Sequence, residues 1–153
     1  MAVTAKARAR TALIASTHLE PAEVLSIVKG AIGQVKGGGA SLMTSGIANA
    51  GARAHVEEEH ADRLALSINS GKRLLELCTF AAITAQNAGQ TSLTVGGLET
   101  FKTSQSRLLG IIPIGPASIP GFSLYKRLLS EIQTQLQAAD PLASTSIQDP
   151  TTD

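Results

Sequence analysis

The sequence predicts an α+β domain, in which a curved antiparallel sheet of about four to six strands packs on a long C-terminal helix and a further helix lies near the N-terminus. Two observations support this fold class. In residues 62–101, runs of alternating apolar and polar residues are separated by turn residues. Near the C-terminus, apolar residues instead recur every three or four positions, which is typical of an amphipathic helix. A sheet with one apolar face must bury that face, and such a helix can cover it.

The middle of the chain is predicted to be an antiparallel meander. Residues 63–69 alternate strictly, so the leucines and the isoleucine of this run fall on one face of a strand. Two further strand-like runs follow, residues 74–86 and 91–95, and each is entered through a turn that contains glycine. After the last run, Gly96-Gly97 indicates a β-bulge or a close approach of the backbone to another part of the chain.

Two segments have the apolar period of a helix. The first begins at Glu20-Pro21, because proline suits the first helical position, and ends at the glycines of residues 37–39. The second runs from Phe122 to Ala139 and stops before Pro141, since the residue that precedes a proline disfavours helical geometry. The apolar stripe of this second helix is predicted to face the sheet and consists of Tyr125, Leu128, Leu129, Ile132, Leu136 and Ala139.

Three other stretches are less clearly patterned. Residues 11–17 and 53–58 have strand-like composition and would complete the sheet. The glycine-rich residues 37–51 fit a packed loop, a short helix or a poor strand equally well. Because residues 56–66 would also tolerate a helix, a helical domain with one hairpin is the alternative fold.

The chain is predicted to form one domain over residues 11–140, since a length of 153 residues suits a single core. Residues 1–10 are small and basic, and they are interpreted as a mobile arm. Residues 141–153 are rich in Ser, Thr, Asp and Pro, and they are interpreted as a disordered tail.

Composition argues against several classes of function. A formal net charge of +1, no Trp and a single Tyr provide neither the basic field nor the stacking surfaces that bind nucleic acid. No uninterrupted apolar helix of about 20 residues is predicted, so no membrane span is expected. A single cysteine is consistent with a reducing compartment, and the cytoplasm is the expected location.

One cluster, in residues 55–62, contains potential metal ligands or acid–base groups. On a strand His55, Glu57 and Glu59 would share one face, and an enzyme would use these three side chains. The two histidines of the cluster are five positions apart and diverge on a strand or a helix, unlike those of the His-Glu-x-x-His metalloprotease motif. We therefore expect no metal, no cofactor and no catalytic residue here. Cys78 is interpreted as a small buried hydrophobic residue.

The connection formed by residues 108–121 is unusually apolar. Loops are normally polar, so its aliphatic side chains are predicted either to tuck under the sheet and helix or to be offered to a partner. The side chains concerned are those of Leu109, Ile111, Ile112, Ile114 and Ile119.

In the order of its predicted elements alone, the chain resembles the helix-grip arrangement of START-type ligand-binding proteins. The leading hypothesis is a non-enzymatic module that holds a small apolar or lipid-like molecule between the sheet and the C-terminal helix. The predicted lining residues are Leu75, Leu77, Ile83, Tyr125, Leu129 and Ile132.

Two other hypotheses follow from the same sequence. The first is a protein-interaction or scaffold module that uses residues 108–121 or an edge of the sheet. The second is an enzyme that uses His55, Glu57 and Glu59. A cavity of several hundred cubic ångströms lined by the predicted pocket residues would favour ligand binding, whereas a solid core would favour protein interaction.

Overall fold

The computed structural model describes residues 5–35, 52–70, 76–108 and 112–149 of the chain. These ranges contain three helices and nine strands. In chain order the elements are α1 (Ala5–Arg8), β1 (Ala12–Thr17), α2 (Pro21–Gln34), β2 (Arg53–Glu59), β3 (Arg63–Asn69), β4 (Glu76–Asn87), β5 (Gln90–Gly96), β6 (Thr100–Phe101), β7 (Ser104–Leu108), β8 (Ile112–Ser118), α3 (Phe122–Ala139) and β9 (Ser144–Gln148).

Seven of these strands form one antiparallel sheet. Its strand order is β2-β3-β4-β5-β1-β9, and the short strand β6 also pairs with β4. Strand β1 therefore lies between β5 and β9, while β2 and β9 form the two edges. Strands β7 and β8 make a separate two-stranded sheet. The predicted α+β class, antiparallel sheet, N-terminal helix and C-terminal helix are confirmed, although the sheet has seven strands instead of four to six.

One face of the large sheet is buried under α2 and α3. Leu64, Leu66 and Ile68 of β3 lie on this face, as the alternation of the sequence predicts, and each is at most 1% exposed. The Phe80 ring of β4 meets the Tyr125 ring of α3 edge-on, with 4.8 Å between the ring centroids. The core is therefore one apolar layer between the sheet and the two helices.

A β-bulge at the start of β4 changes which residues face the helices. Ile68 pairs with Cys78 but Asn69 pairs with Glu76, so Leu77 is an extra residue on β4. Because the bulge interrupts the alternation, the adjacent residues Leu77 and Cys78 are both buried in the core.

Beyond the bulge, the even-numbered residues of β4 face the helices, and Phe80 and Ala82 belong to the core. The odd-numbered Ile83 pairs with Arg63 on one side and with Thr94 on the other, and its side chain is 47% exposed. Ile83 therefore lies on the opposite face of the sheet from α3. This placement corrects its predicted position between the sheet and the C-terminal helix, because the bulge was not visible in the sequence.

Both turn signals around β5 are confirmed. The strand is entered through Ala88-Gly89, where φ is 55° and 80°, as in a type I′ hairpin turn. At its other end Gly96 has φ 95°, and its backbone lies against Tyr125. The Tyr125 hydroxyl donates a hydrogen bond to the carbonyl oxygen of Thr11, so the close approach predicted at Gly96 involves α3.

The predicted disordered tail is wrong for its central part. Residues 144–148 form β9, which pairs antiparallel with β1 from Ser144 opposite Ser16 to Gln148 opposite Ala12. The polar composition that suggested disorder is compatible with an edge strand. The backbone of such a strand pairs with one neighbouring strand, and its Ser, Thr and Gln side chains can face solvent.

The predicted mobile N-terminal arm also has local structure. Within it, Ala5–Arg8 forms one helical turn, and the carbonyl oxygen of Ala9 accepts a hydrogen bond from the backbone N–H of Leu98 at 2.7 Å. Residues 5–10 are therefore attached to the sheet near Gly97.

The apolar connection of residues 108–121 is not a loop throughout, because Ile112–Ser118 forms β8 and pairs with β7. Pro113, Gly115 and Pro116, which suggested a loop, lie in β8, and its pairing with β7 has a register shift. Residues 37–51 and residues 71–75, which include the glycine of the predicted turn, lie outside the described residues.

Candidate functional site

Four of the six predicted pocket residues lie together in the packed core. Leu77, Tyr125, Leu129 and Ile132 are each at most 1% exposed and belong to one apolar cluster. Burial raises the pKa of the Tyr125 phenol, as expected for a hydroxyl in the protein interior. A ligand at this place would have to displace core side chains. Leu75 lies outside the described residues, and the small apolar ligand stays a prediction.

Two grooves in the described part of the chain lie elsewhere. The first has a volume of about 220 Å³ and lies between the end of α2 and the start of β2. Its lining residues are Ile32, Gly33, Val35, Arg53, Ala54 and His55. The second has a volume of about 390 Å³ and lies on the side of the sheet away from the helices. Its lining residues are Ser16, Ala85, Asn87, Gln90 and Ser92.

The acidic cluster of β2 is divided by a second β-bulge. The register shifts at Glu57, so that His55 lies opposite Ser67 on one face whereas Glu59 lies at the position of a core-facing residue. The Glu59 carboxylate forms an ion pair with Lys29 of α2 at 2.6 Å. The Glu57 carboxylate accepts a hydrogen bond from the Ser67 hydroxyl at 2.6 Å. The three residues predicted to share a face are therefore not brought together.

Ser67 lies beside this cluster and has a structural role, because its hydroxyl is part of a buried hydrogen-bond network. Ser67 is fully buried, and its hydroxyl accepts a hydrogen bond from the Asn69 side-chain amide at 2.7 Å while it donates to Glu57. A nucleophile must be reachable by its substrate, and this hydroxyl is not exposed. Within residues 5–35, 52–70, 76–108 and 112–149, no three His, Cys, Asp or Glu side chains are grouped so that they could hold a metal ion.

Cys78 is buried in the core, as its sequence context predicts. Burial, together with the nearby Glu76 carboxylate, raises the pKa of the Cys78 thiol to about 12. A thiol with so high a pKa is a poor nucleophile near neutral pH, because the thiolate is the reactive species.

The face of the sheet away from α2 and α3, here called the open face, has two cross-strand rows of uncharged residues. Each row crosses four strands, and along each strand the second row lies two residues away from the first. The rows are Ile83-Thr94-Ile14-Ser146 and Ala85-Ser92-Ser16-Ser144, and together they are called the uncharged patch. All eight side chains are exposed except that of Ser16, which is half-buried.

The two edges of the sheet differ in character. Strand β2 has Arg53, Glu58, Glu59 and the bulge at Glu57, which are features that keep an edge strand from pairing with other chains. Strand β9 has the sequence Ser-Thr-Ser-Ile-Gln, with neither a charge nor a proline, and it pairs with β1 without a register shift. Among the described strands, none pairs with the outer side of β9.

Helix α3 holds β9 in place from the core side of the sheet. The side-chain amides of Gln133 and Gln137 both donate hydrogen bonds to the Thr145 hydroxyl at 2.9 Å. Lys126 forms an ion pair at 2.6 Å with Asp149, which follows the strand. Strand β9 is therefore held in position, and no described strand pairs with its outer edge.

Three of the five residues predicted to form an apolar interaction loop are described, and they do not lie in one loop. Ile119 is buried beside the start of α3, and Ile112 and Ile114 belong to β8. Leu109 and Ile111 lie outside the described residues. The sequence did not single out β9 or the uncharged patch, although the exposed Ser and Thr of β5 alternate with buried Leu93 and Val95.

Comparison of the chain with family models, with curated proteins and with solved structures finds no match. Among the described helices, none is long and apolar enough to cross a membrane.

Proposed function

We propose that this chain is a non-enzymatic protein-interaction module that binds an extended segment of a partner protein along the outer edge of β9. The observation that supports the proposal is the contrast between the two edges of the sheet. The β2 edge has charges and a bulge, whereas the β9 edge has neither. Exposed strands without such protection pair readily with another strand.

Strand addition would use the backbone of β9. An antiparallel or parallel segment would form hydrogen bonds with the outward N–H and C=O groups of this strand, which gives affinity without a deep pocket. The β9 edge is preorganised for strand addition, because two glutamine side chains of α3 fix Thr145 and because β9 pairs with β1 along its length. Less ordering is therefore needed when the partner binds.

The side chains of β9 indicate the chemistry of the partner segment. On the open face the added strand would continue the uncharged patch beyond Ser144 and Ser146. On the other face it would lie beside the half-buried Ile147, near α3. A β-branched uncharged residue suits the side of Ile147, where a charge would be desolvated without a partner. On the open face a small uncharged residue would continue the row of exposed serines. The fit is limited to about five residues, because Pro141 and Pro150 bracket the strand.

The experiment is a selection with a displayed library of random ten-residue peptides against the purified chain. We expect enriched peptides with alternating uncharged β-branched residues, which bind with a dissociation constant in the micromolar range. Ser146→Lys should weaken that binding about tenfold or more, because lysine on an edge strand opposes pairing. The matched control is Thr94→Lys, which adds the same charge to the open face two strands away from the edge.

Two results would overturn the proposal. One is a selection that enriches no peptide for the wild-type chain. The other is a set of enriched peptides that bind the Ser146→Lys variant as tightly as the wild type, because such peptides would contact another part of the surface.

A further inference from the structure

We propose that Thr145 determines which segments bind at the β9 edge, because its hydroxyl selects a partner residue with a side-chain oxygen acceptor, as in Asn, Asp, Ser or Thr. The inference deepens the proposed function and rests on it, since the partner residue lies on the strand added beside β9. It begins from Gln133 and Gln137 of α3, whose side-chain amides each donate a hydrogen bond to the Thr145 hydroxyl oxygen at 2.9 Å.

The two glutamines use up the acceptor capacity of this hydroxyl. A hydroxyl group has two acceptor sites and one proton to donate. Both acceptor sites of the Thr145 hydroxyl are occupied by the glutamine amides. Among the described residues, these are the only hydrogen bonds that the hydroxyl makes, so its proton is donated to none of them. Thr145 therefore offers a donor and no acceptor.

The surroundings of Thr145 direct this proton to the outer side of β9. On the inner side Thr145 pairs with Ala15 of β1, whose methyl group accepts no hydrogen bond. The glutamines approach from α3, which lies over this face of the sheet. Thr145 is half-buried, and no described strand pairs with the outer side of β9. Because cross-strand neighbours have Cβ atoms about 5 Å apart, a short side chain on the added strand can reach the hydroxyl.

Three donor groups converge beside the added strand, namely the hydroxyl of Thr145 and the amides of Gln133 and Gln137. A hydroxyl that accepts two hydrogen bonds is polarised, which strengthens the bond that it donates. An oxygen acceptor of the partner would complete this network. An aliphatic side chain would instead displace water from the proton and leave it unpaired. Lys and Arg carry only donors, so they are disfavoured at this position.

Ile147 fixes the position of the acceptor within the partner segment. Ile147 is half-buried against the core and lies two residues after Thr145, on the same face of β9. Side chains two positions apart on the added strand likewise share a face. The partner segment should therefore carry an oxygen acceptor and a β-branched apolar residue two positions apart, in an order set by the direction of the added strand.

The test is the selection of displayed ten-residue peptides, repeated on three variants. For the wild type we expect Asn, Asp, Ser or Thr two positions from the β-branched residue, with Lys and Arg depleted there. Thr145→Val has a similar shape but no hydroxyl proton, so it should select aliphatic residues at that position. Thr145→Ser keeps the hydroxyl and should keep the preference for an acceptor. Thr94→Val makes the same change on the open face and should select as the wild type does.

Binding of single peptides measures the size of the effect. A peptide enriched on the wild type should bind Thr145→Val about tenfold more weakly. Replacement of its acceptor by an aliphatic residue should weaken binding to the wild type about equally, but should cost little on Thr145→Val. Circular dichroism checks that each variant is folded. Tighter binding of the aliphatic peptides by Thr145→Val cannot result from a loss of folding.

Failure of this inference is distinguishable from failure of the proposed function. Peptides that bind the wild type without a preferred acceptor would overturn the role of Thr145 and leave strand addition intact. An acceptor preference that persists in Thr145→Val would do the same, because the hydroxyl proton would then be used within the chain, on a glutamine oxygen. Loss of all peptide binding in Thr145→Val would show that Thr145 holds β9 in place and does not select. A wild type that enriches no peptide would overturn the proposed function itself.

Discussion

The hydroxyl group of Tyr125 occupies the space beside Gly96 that a Cβ atom at Gly96 would need. The same hydroxyl donates a hydrogen bond to the carbonyl oxygen of Thr11, just before β1. One aromatic residue of α3 is thereby fitted between the ends of β1 and β5. Two strands and a helix meet at a position where only a residue without a side chain fits.

The first prediction concerns Gly96→Ala. The new methyl group would collide with Tyr125, and the backbone has φ 95°, which alanine rarely adopts. We expect the free energy of unfolding to fall by about 3 kcal/mol, measured by urea denaturation. The control is Gly89→Ala, which has φ 80° but no atom within 4 Å of the added carbon, and it should lose only about 1 kcal/mol.

The second prediction compares two aliphatic residues that the sequence placed in one pocket. Leu129→Ala removes a fully buried side chain and should lower the free energy of unfolding by about 2–5 kcal/mol. Ile83→Ala removes a side chain that is 47% exposed, and this change should lower the free energy of unfolding by less than about 1.5 kcal/mol. Thermal and urea denaturation of both variants would measure the difference. Similar losses would contradict the position of Ile83 on the open face.

The third prediction is a dependence of stability on pH through Asp140. The Thr17 hydroxyl donates to its carboxylate at 2.6 Å, and the backbone N–H groups of His18 and Leu142 donate at 3.0 and 3.1 Å. These hydrogen bonds hold the pKa of Asp140 below its ordinary value. The ionised group therefore stabilises the folded chain fully above its unfolded pKa of about 3.9, and this contribution is lost as the pH falls through the lower folded pKa.

Asp140→Asn should accordingly lower stability at pH 7 and give a shallower loss of stability below about pH 4 than the wild type shows. Denaturant titrations at a series of pH values would measure both effects. Asp62→Asn, the same change of charge at an exposed position, is the control. Parallel curves for the wild type and Asp140→Asn would show that the carboxylate does not have this role.

The fourth prediction concerns thiol reactivity. Because burial raises the pKa of Cys78 to about 12, a maleimide or disulfide reagent should react far more slowly with the native chain at pH 8 than with the chain unfolded in urea. The chain has one cysteine, so mass spectrometry reports on this residue directly. Equally fast labelling of native and unfolded protein would mean that the strand pairing around Cys78 opens readily.

The regular elements of this chain could be predicted because local pattern and turn chemistry agree. The helix Phe122–Ala139 has the predicted bounds, and the strands on both sides of Ala88-Gly89 are where alternation places them. The assignment of β4 residues to faces could not be predicted in the same way. A single extra residue, Leu77, reverses the faces of every residue after it, and a bulge has no clear sequence signal at this position.

Strand β9 was missed because its stability comes from distant partners. Ser144–Gln148 has little apolar area of its own, and it is fixed by β1 and by the side chains of Gln133 and Gln137. Composition describes only the isolated segment, so it predicts disorder where long-range pairing gives a strand. Because β9 was not predicted, its outer edge could not be predicted as a candidate site either.

The place of β1 in the sheet has a consequence for synthesis on the ribosome. This strand is synthesised before every other strand of the sheet, yet its two neighbours are β5 and β9, and β9 follows all the other strands of the sheet in the chain. Until residues 144–148 leave the exit tunnel, one side of β1 remains unpaired while the rest of the sheet forms. A nascent or truncated chain that lacks β9 would therefore expose one side of an interior strand, with the aggregation hazard that such a strand brings.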